Sequence, residues 1–174
     1  RLREAREHGI PWRAWGPYLR ERQWGIAREN QAPDRRALRD LTYERASAWA
    51  YEWGEDGLAG ICDEQMRLCF AVALWNGRDR VLKERLGGAP GDACIYLDNV
   101  PTHSYMRVLY KYSGCFDIFV EYAKASAQEI LIRITIDNRG PERASVHVLP
   151  HLWFRNSWQG DSRAAQPLIE RCVG

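Results

Sequence analysis

The chain has 174 residues, of which 45% are apolar and 28% charged, and its net charge is +2. That length buries about 70% of the unfolded surface, enough for one domain with a core of its own, and the composition excludes a disordered chain. Basic and acidic residues are interleaved, which leaves no stripe of Lys and Arg to neutralise phosphates, so nucleic acid is not an expected partner.

The segment Leu2 to His8 is rich in helix formers and meets Gly9 and Pro11, which predicts a short N-terminal helix. Trp12 to Tyr18 is an irregular aromatic stretch, Gln23 to Glu29 a short extended one, and Pro33 to Asp40 a polar loop. Leu41 to Tyr51 carries both helical and alternating signals and is read as a helix or turn that becomes a strand near Ser47. Gly54-Glu55-Asp56-Gly57 is a tight turn, followed by a returning strand from Leu58 to Cys62. Leu68 to Trp75 is an unbroken apolar run ended by Asn76-Gly77, as expected of a strand buried on both faces. It is far shorter than the roughly 20 residues a membrane-spanning helix needs, so no membrane association is expected. Val81 to Leu86 suggests one or two helical turns before Gly87-Gly88.

From Ile95 onward the period is two. Ile95, Leu97 and Asn99 alternate with Tyr96, Asp98 and Val100; Met106, Val108, Tyr110 and Tyr112 form the next alternating face; Ser113-Gly114 marks a hairpin; and Phe116, Ile118, Val120 and Tyr122 return. Ile130, Ile132, Ile134 and Ile136 form a further apolar ladder, read as core, and after the turn cluster Asp137 to Pro141 the residues Ala144, Val146 and Val148 lead into Leu152, Trp153 and Phe154. Successive alternating strands predict a mainly β fold: an antiparallel β-sandwich, supersandwich-like, with a short N-terminal helix and one or two small helices. Residues 1–158 are taken as one sandwich domain and 159–174 as a divergent tail.

Cys62, Cys69, Cys94, Cys115 and Cys172 are odd in number and lack CxxC spacing, which argues for reduced thiols and a cytoplasmic location. His147 and His151 are four apart, but on a strand that spacing covers roughly 13 Å, too far for one ion, so no metal and no cofactor is expected. His8 and His103 have no identifiable partner in the sequence. No GxSxG elbow and no glycine-rich phosphate loop is present. Glycoside hydrolysis needs two carboxylates flanking one bond, whereas Glu55 and Asp56 sit in a turn where water would hold a carboxyl at its ordinary pKa. No catalytic residue is assigned.

Eight tryptophans stand out, several beside Gly or Arg. An indole offers a broad apolar face with one N–H, suited to the C–H side of a sugar ring while Arg, Asn or a carboxylate takes the hydroxyls. Candidate ligand-binding residues are therefore Trp24 with Arg28 and Glu29, Trp53 with Asp56, and Trp153 with Arg155 and Asn156.

Six stretches also resemble, in order, the N-terminal region of bacterial glycoside hydrolase family 63 proteins, relatives of the processing α-glucosidases. They are Trp15-Gly16-Pro17-Tyr18-Leu19; Glu21-Arg22-Gln23-Trp24-Gly25 with Arg28-Glu29; Trp53-Gly54-Glu55-Asp56-Gly57; Leu74-Trp75-Asn76-Gly77 with Leu82-Lys83-Glu84-Arg85-Leu86; Pro101-Thr102-His103-Ser104-Tyr105; and Leu152-Trp153-Phe154-Arg155-Asn156. The resemblance implies a β-sandwich of the kind that precedes an (α/α)6 barrel, with the inverting acid and base in that barrel, to which no stretch here corresponds. It also implies a longer excursion where only Ser113-Gly114-Cys115 stands. The expected function is a non-catalytic, carbohydrate-associated module that binds a sugar or a partner chain. The alternatives are an interaction module that self-associates without sugar affinity, and a small stand-alone glycosidase.

Overall fold

The computed structural model describes residues 1–19, 57–79, 82–83, 92–112, 115–156, 158 and 165–171. Helix α1 spans Leu2–His8 and ends at Gly9, whose φ of 64° is a left-handed stop that glycine adopts without strain. A single 3-10 turn follows at Trp12–Ala14, then the short strand β1, Trp15–Gly16. The remaining strands are β2 Leu58–Asp63, β3 Leu68–Trp75, β4 Ala93–Asn99, β5 Tyr105–Tyr112, β6 Phe116–Lys124, β7 Ile130–Asn138 and β8 His147–Phe154. They form two four-stranded antiparallel sheets, ordered β1-β2-β3-β8 and β4-β5-β6-β7. The mainly β reading holds.

Alternation decides which side chains meet between the sheets. Met106, Val108, Tyr110 and Tyr112 of β5 and Phe116, Ile118, Val120 and Tyr122 of β6 face Leu58 and Ile61 of β2 and Val72 and Leu74 of β3 in one buried cluster. Each large apolar side chain removed from water there contributes about 1.5–3 kcal/mol. Strand β3 is central in its sheet, and Ala71 and Ala73 on its other face are buried too, as an unbroken apolar run requires. A small cavity lined by Pro17 and by residues of β2, β4, β5 and β6 shows that β4 lies against β2. By sheet order, β7 then lies on the β8 side.

Two turns are locked by their own side chains. Asp63 accepts from the backbone N–H groups of Gln65, Arg67 and Leu68, closing the β2–β3 turn, and Asn76 Oδ1 accepts from those of Arg78 and Asp79 after β3. Strand β2 carries a bulge between Leu58 and Ile61, with Ala59 at φ 53°. The Tyr122 hydroxyl donates to the Ala59 carbonyl at 2.6 Å, tying the bulge to the opposite sheet.

Two expectations need correction. Lys83, assigned to helical turns, instead forms an antiparallel bridge with Leu74, exchanging both backbone hydrogen bonds. The isoleucine ladder is not wholly core: Ile130 and Ile134 pack on the cluster, but Ile132 and Ile136 are each 40% exposed because β7 is an edge strand. The segments Gln23 to Glu29, Pro33 to Asp40 and Leu41 to Tyr51, and the turn from Gly54 to Asp56, lie outside the described residues. Among the described residues no helix is long and apolar enough to cross a membrane.

Candidate functional site

One group of perturbed ionisable side chains, Tyr18, His103 and Lys124, lies where the N-terminal segment crosses the ends of β4, β5 and β6. Lys124 continues the inward period of Ile118, Val120 and Tyr122, so it enters the protein and is only 2% exposed. Its Nζ donates to the backbone carbonyls of Trp12 and Trp15, the latter at 2.6 Å. Burial lowers its pKa to about 8. The lysine thus straps the 3-10 turn and β1 onto the second sheet.

The strap has further fastenings. Arg13 Nε donates to the Pro101 carbonyl at 2.8 Å, the Tyr18 hydroxyl donates to the Arg13 carbonyl at 2.6 Å, and the Trp12 indole N–H donates to Glu4 at 3.1 Å. His103, at φ 52°, shares a 2.8 Å hydrogen bond between Nδ1 and Asn99 Oδ1, and its ring meets Tyr18 edge-on at 5.5 Å. A Cβ on Gly16 would stand 2.8 Å from both the His103 and Tyr18 rings, so only glycine fits there. Burial first, then the charges of Lys124 and Arg13, lower the His103 pKa. His103 therefore has the partners that the sequence did not identify.

A second polar cluster lies at the far end of the sandwich. Asp92, whose side chain is 1% exposed, faces Lys83 Nζ at 3.2 Å and accepts from the Tyr110 hydroxyl at 3.2 Å. The Tyr112 hydroxyl donates to Asp79 at 2.6 Å and accepts from the Asn76 N–H. Burial, and then the neighbouring carboxylates, raise the pKa of both tyrosines. Two tyrosines on the inward face of β5 were the available signal, since a buried phenol needs a partner. Their partners come from loop residues that no local pattern identifies.

On the outer face of the second sheet, Asp98, Arg107, Glu121 and Arg133 stand in register across four strands. Glu121 takes a two-pronged contact from Arg133 and a hydrogen bond from Tyr105, which together lower its pKa to about 2. Arg107 lies over the Phe119 ring at 4.9 Å.

Of the eight candidate sugar-binding residues, Trp24, Arg28, Glu29, Trp53 and Asp56 lie outside the described residues. Trp153, Arg155 and Asn156 stand together at the end of β8, all half-buried. Trp153 is opposite Cys69 and packs on the cluster of Leu19, Cys62 and Cys69. Gly57 presses on the same surface: a Cβ there would be 2.1 Å from that of Ala71 and 3.3 Å from the Trp153 ring. Part of the indole surface is thus committed to packing, and the Arg155 N–H donates to the Arg67 carbonyl. Cys62, Cys69, Cys94 and Cys115 form no disulfide, and hydrogen bonding to Cys69 followed by burial raises the Cys62 pKa. His147 stacks on Trp75 at 5.3 Å, and no metal-binding group of His, Cys, Asp or Glu occurs among the described residues.

No family model and no solved structure matches the chain. It is similar to the uncharacterized protein YMR196W of Saccharomyces cerevisiae, with 36% identity over 227 residues covering 98% of this chain and 21% of the yeast protein. The chain therefore spans about a fifth of that relative's length, and because the matched stretch exceeds this chain's 174 residues, the yeast protein carries additional residues within it.

Proposed function

We propose that this chain is a non-catalytic, carbohydrate-associated β-sandwich module of the glycoside hydrolase family 63 type, with cytoplasmic placement as part of the same reading. The observation that carries it is the meeting of two family-like stretches. Trp15 to Tyr18 and Pro101 to Tyr105, more than 80 residues apart, interlock through Gly16, Tyr18, His103 and the Lys124 strap. The buried charges support a role without catalysis, because Lys124 is held by backbone carbonyls and Asp92 by Lys83 and Tyr110.

A sugar would contact the Trp153, Arg155 and Asn156 end of β8, together with Trp24, Arg28, Glu29, Trp53 and Asp56. Covering roughly 100 Å² of apolar surface contributes about 2.5 kcal/mol. Hydrogen bonds add about 1 kcal/mol each and association entropy removes several, so affinity on the order of millimolar is expected. The test is a chemical-shift titration with glucose, maltose and mannose at tens of millimolar, combined with an aryl α-glucoside assay. The expected result is movement of the Trp153 indole N–H without turnover. Silence at every tryptophan refutes sugar binding, and turnover abolished by Glu55→Gln or Asp56→Asn refutes the non-catalytic role.

A second reading, an interaction module without sugar affinity, draws on a different observation. Ile132 and Ile136 on β7 are 40% exposed and Leu152 on β8 is 50% exposed, although all three belong to faces turned toward the core. Side chains of this kind along two adjacent edges suit contact with another polypeptide.

A further inference from the structure

Three of the four sheet edges carry a feature that discourages pairing with another chain. Strand β1 is two residues long, β4 breaks register between Tyr96 and Asp98, and β8 contains Pro150, which has no N–H to offer. Strand β7 has none of these. It runs nine residues from Ile130 to Asn138 in unbroken register with β6, without proline or bulge. Among the described residues no strand pairs with its other side. Its backbone groups there form a regular template, flanked by the exposed side chains of Leu131, Ile132 and Ile136.

We propose that β7 pairs antiparallel with β7 of a second copy of this chain, across a two-fold axis at Ile134. The proposal takes up the interaction reading and names its occupant. Keeping inward faces continuous across the joint requires the axis to pass through a residue. Centring on Ile134 uses all nine residues and sets Ile132 against the second copy's Ile136 twice, Ile134 against itself, Arg133 against Thr135, and Leu131 against Asp137. No like charges then face each other. Moving the axis to Arg133 would oppose two guanidinium groups, and moving it to Thr135 would shorten the ladder to seven pairs and put Ile132 against Asn138. The result is one continuous eight-stranded sheet, with Ile132 and Ile136 of both copies covered.

The experiment is light scattering of the whole chain at tens of micromolar, with circular dichroism to verify folding. Wild type should show twice the monomer mass of 20.2 kDa. Ile132→Lys/Ile136→Lys, which sets lysine against lysine at both equivalent pairs, should be monomeric. Ile132→Lys/Ile136→Glu, which sets lysine against glutamate, should restore the dimer. A monomeric wild type overturns the proposal, as does identical association of the two double variants. Should the variants fail to fold, hydrogen exchange on wild type decides: β7 amides should gain at least tenfold protection between low and high micromolar concentration, and concentration-independent exchange refutes the pairing. The sugar titration is separate, because it reads Trp153 on the other sheet.

Discussion

Lys124→Met tests the N-terminal strap. The substitution keeps most of the side-chain volume but removes the donor that serves the carbonyls of Trp12 and Trp15. A hydrogen bond from a charged donor is worth about 1.5–3 kcal/mol, and some water will reach the freed carbonyls, so a loss of about 3 kcal/mol at pH 7 is expected. The sharper test is pH. Burial lowers the lysine from its ordinary 10.5 to about 8, so between those values the unfolded chain holds a proton that the folded chain has released. Stability from this group therefore rises with pH through that window, is complete above 10.5, and is lost as pH falls through 8. At 1.36 kcal/mol per unit, the gain from pH 7 to 9.5 is about 2 kcal/mol. Raised tyrosine pKa values act oppositely, costing stability above pH 10, but they are common to both proteins and cancel in the difference. Urea unfolding of wild type and Lys124→Met at pH 7, 8.5 and 9.5, at constant ionic strength, should show the gap widening. A gap independent of pH would refute the lowered pKa of Lys124.

Gly57→Ala should destabilise by about 3 kcal/mol, because φ 112° disfavours any side chain and the added methyl would meet Ala71 at 2.1 Å; an unchanged thermal midpoint would contradict that contact. Asp92→Asn should cost about 3 kcal/mol in urea unfolding by leaving Lys83 without its buried counter-charge, and a loss under about 1 kcal/mol would show that the pair is solvated.

The elements most legible in the sequence are those built by local alternation. Met106 to Tyr112 and Phe116 to Tyr122 are strands because every second residue is apolar, and Leu2 to His8 stops at Gly9 because glycine enters the left-handed region freely. The same period carries Lys124 inward, but its two carbonyl partners lie 109 and 112 residues earlier. At the proposed sugar site, the grouping of Trp153, Arg155 and Asn156 follows from their adjacency in the chain, whereas the packing of Trp153 on Cys62, Cys69 and Gly57 required the β2–β3–β8 register. The neighbours of Lys83 favour a helix, yet the residue is extended because Leu74 offers both backbone hydrogen bonds across the fold. Ile132 and Ile136 show the division most plainly. Their spacing determines the face they occupy, while their exposure depends on β7 being last in its sheet, and strand order is set by long-range pairing that no local pattern encodes.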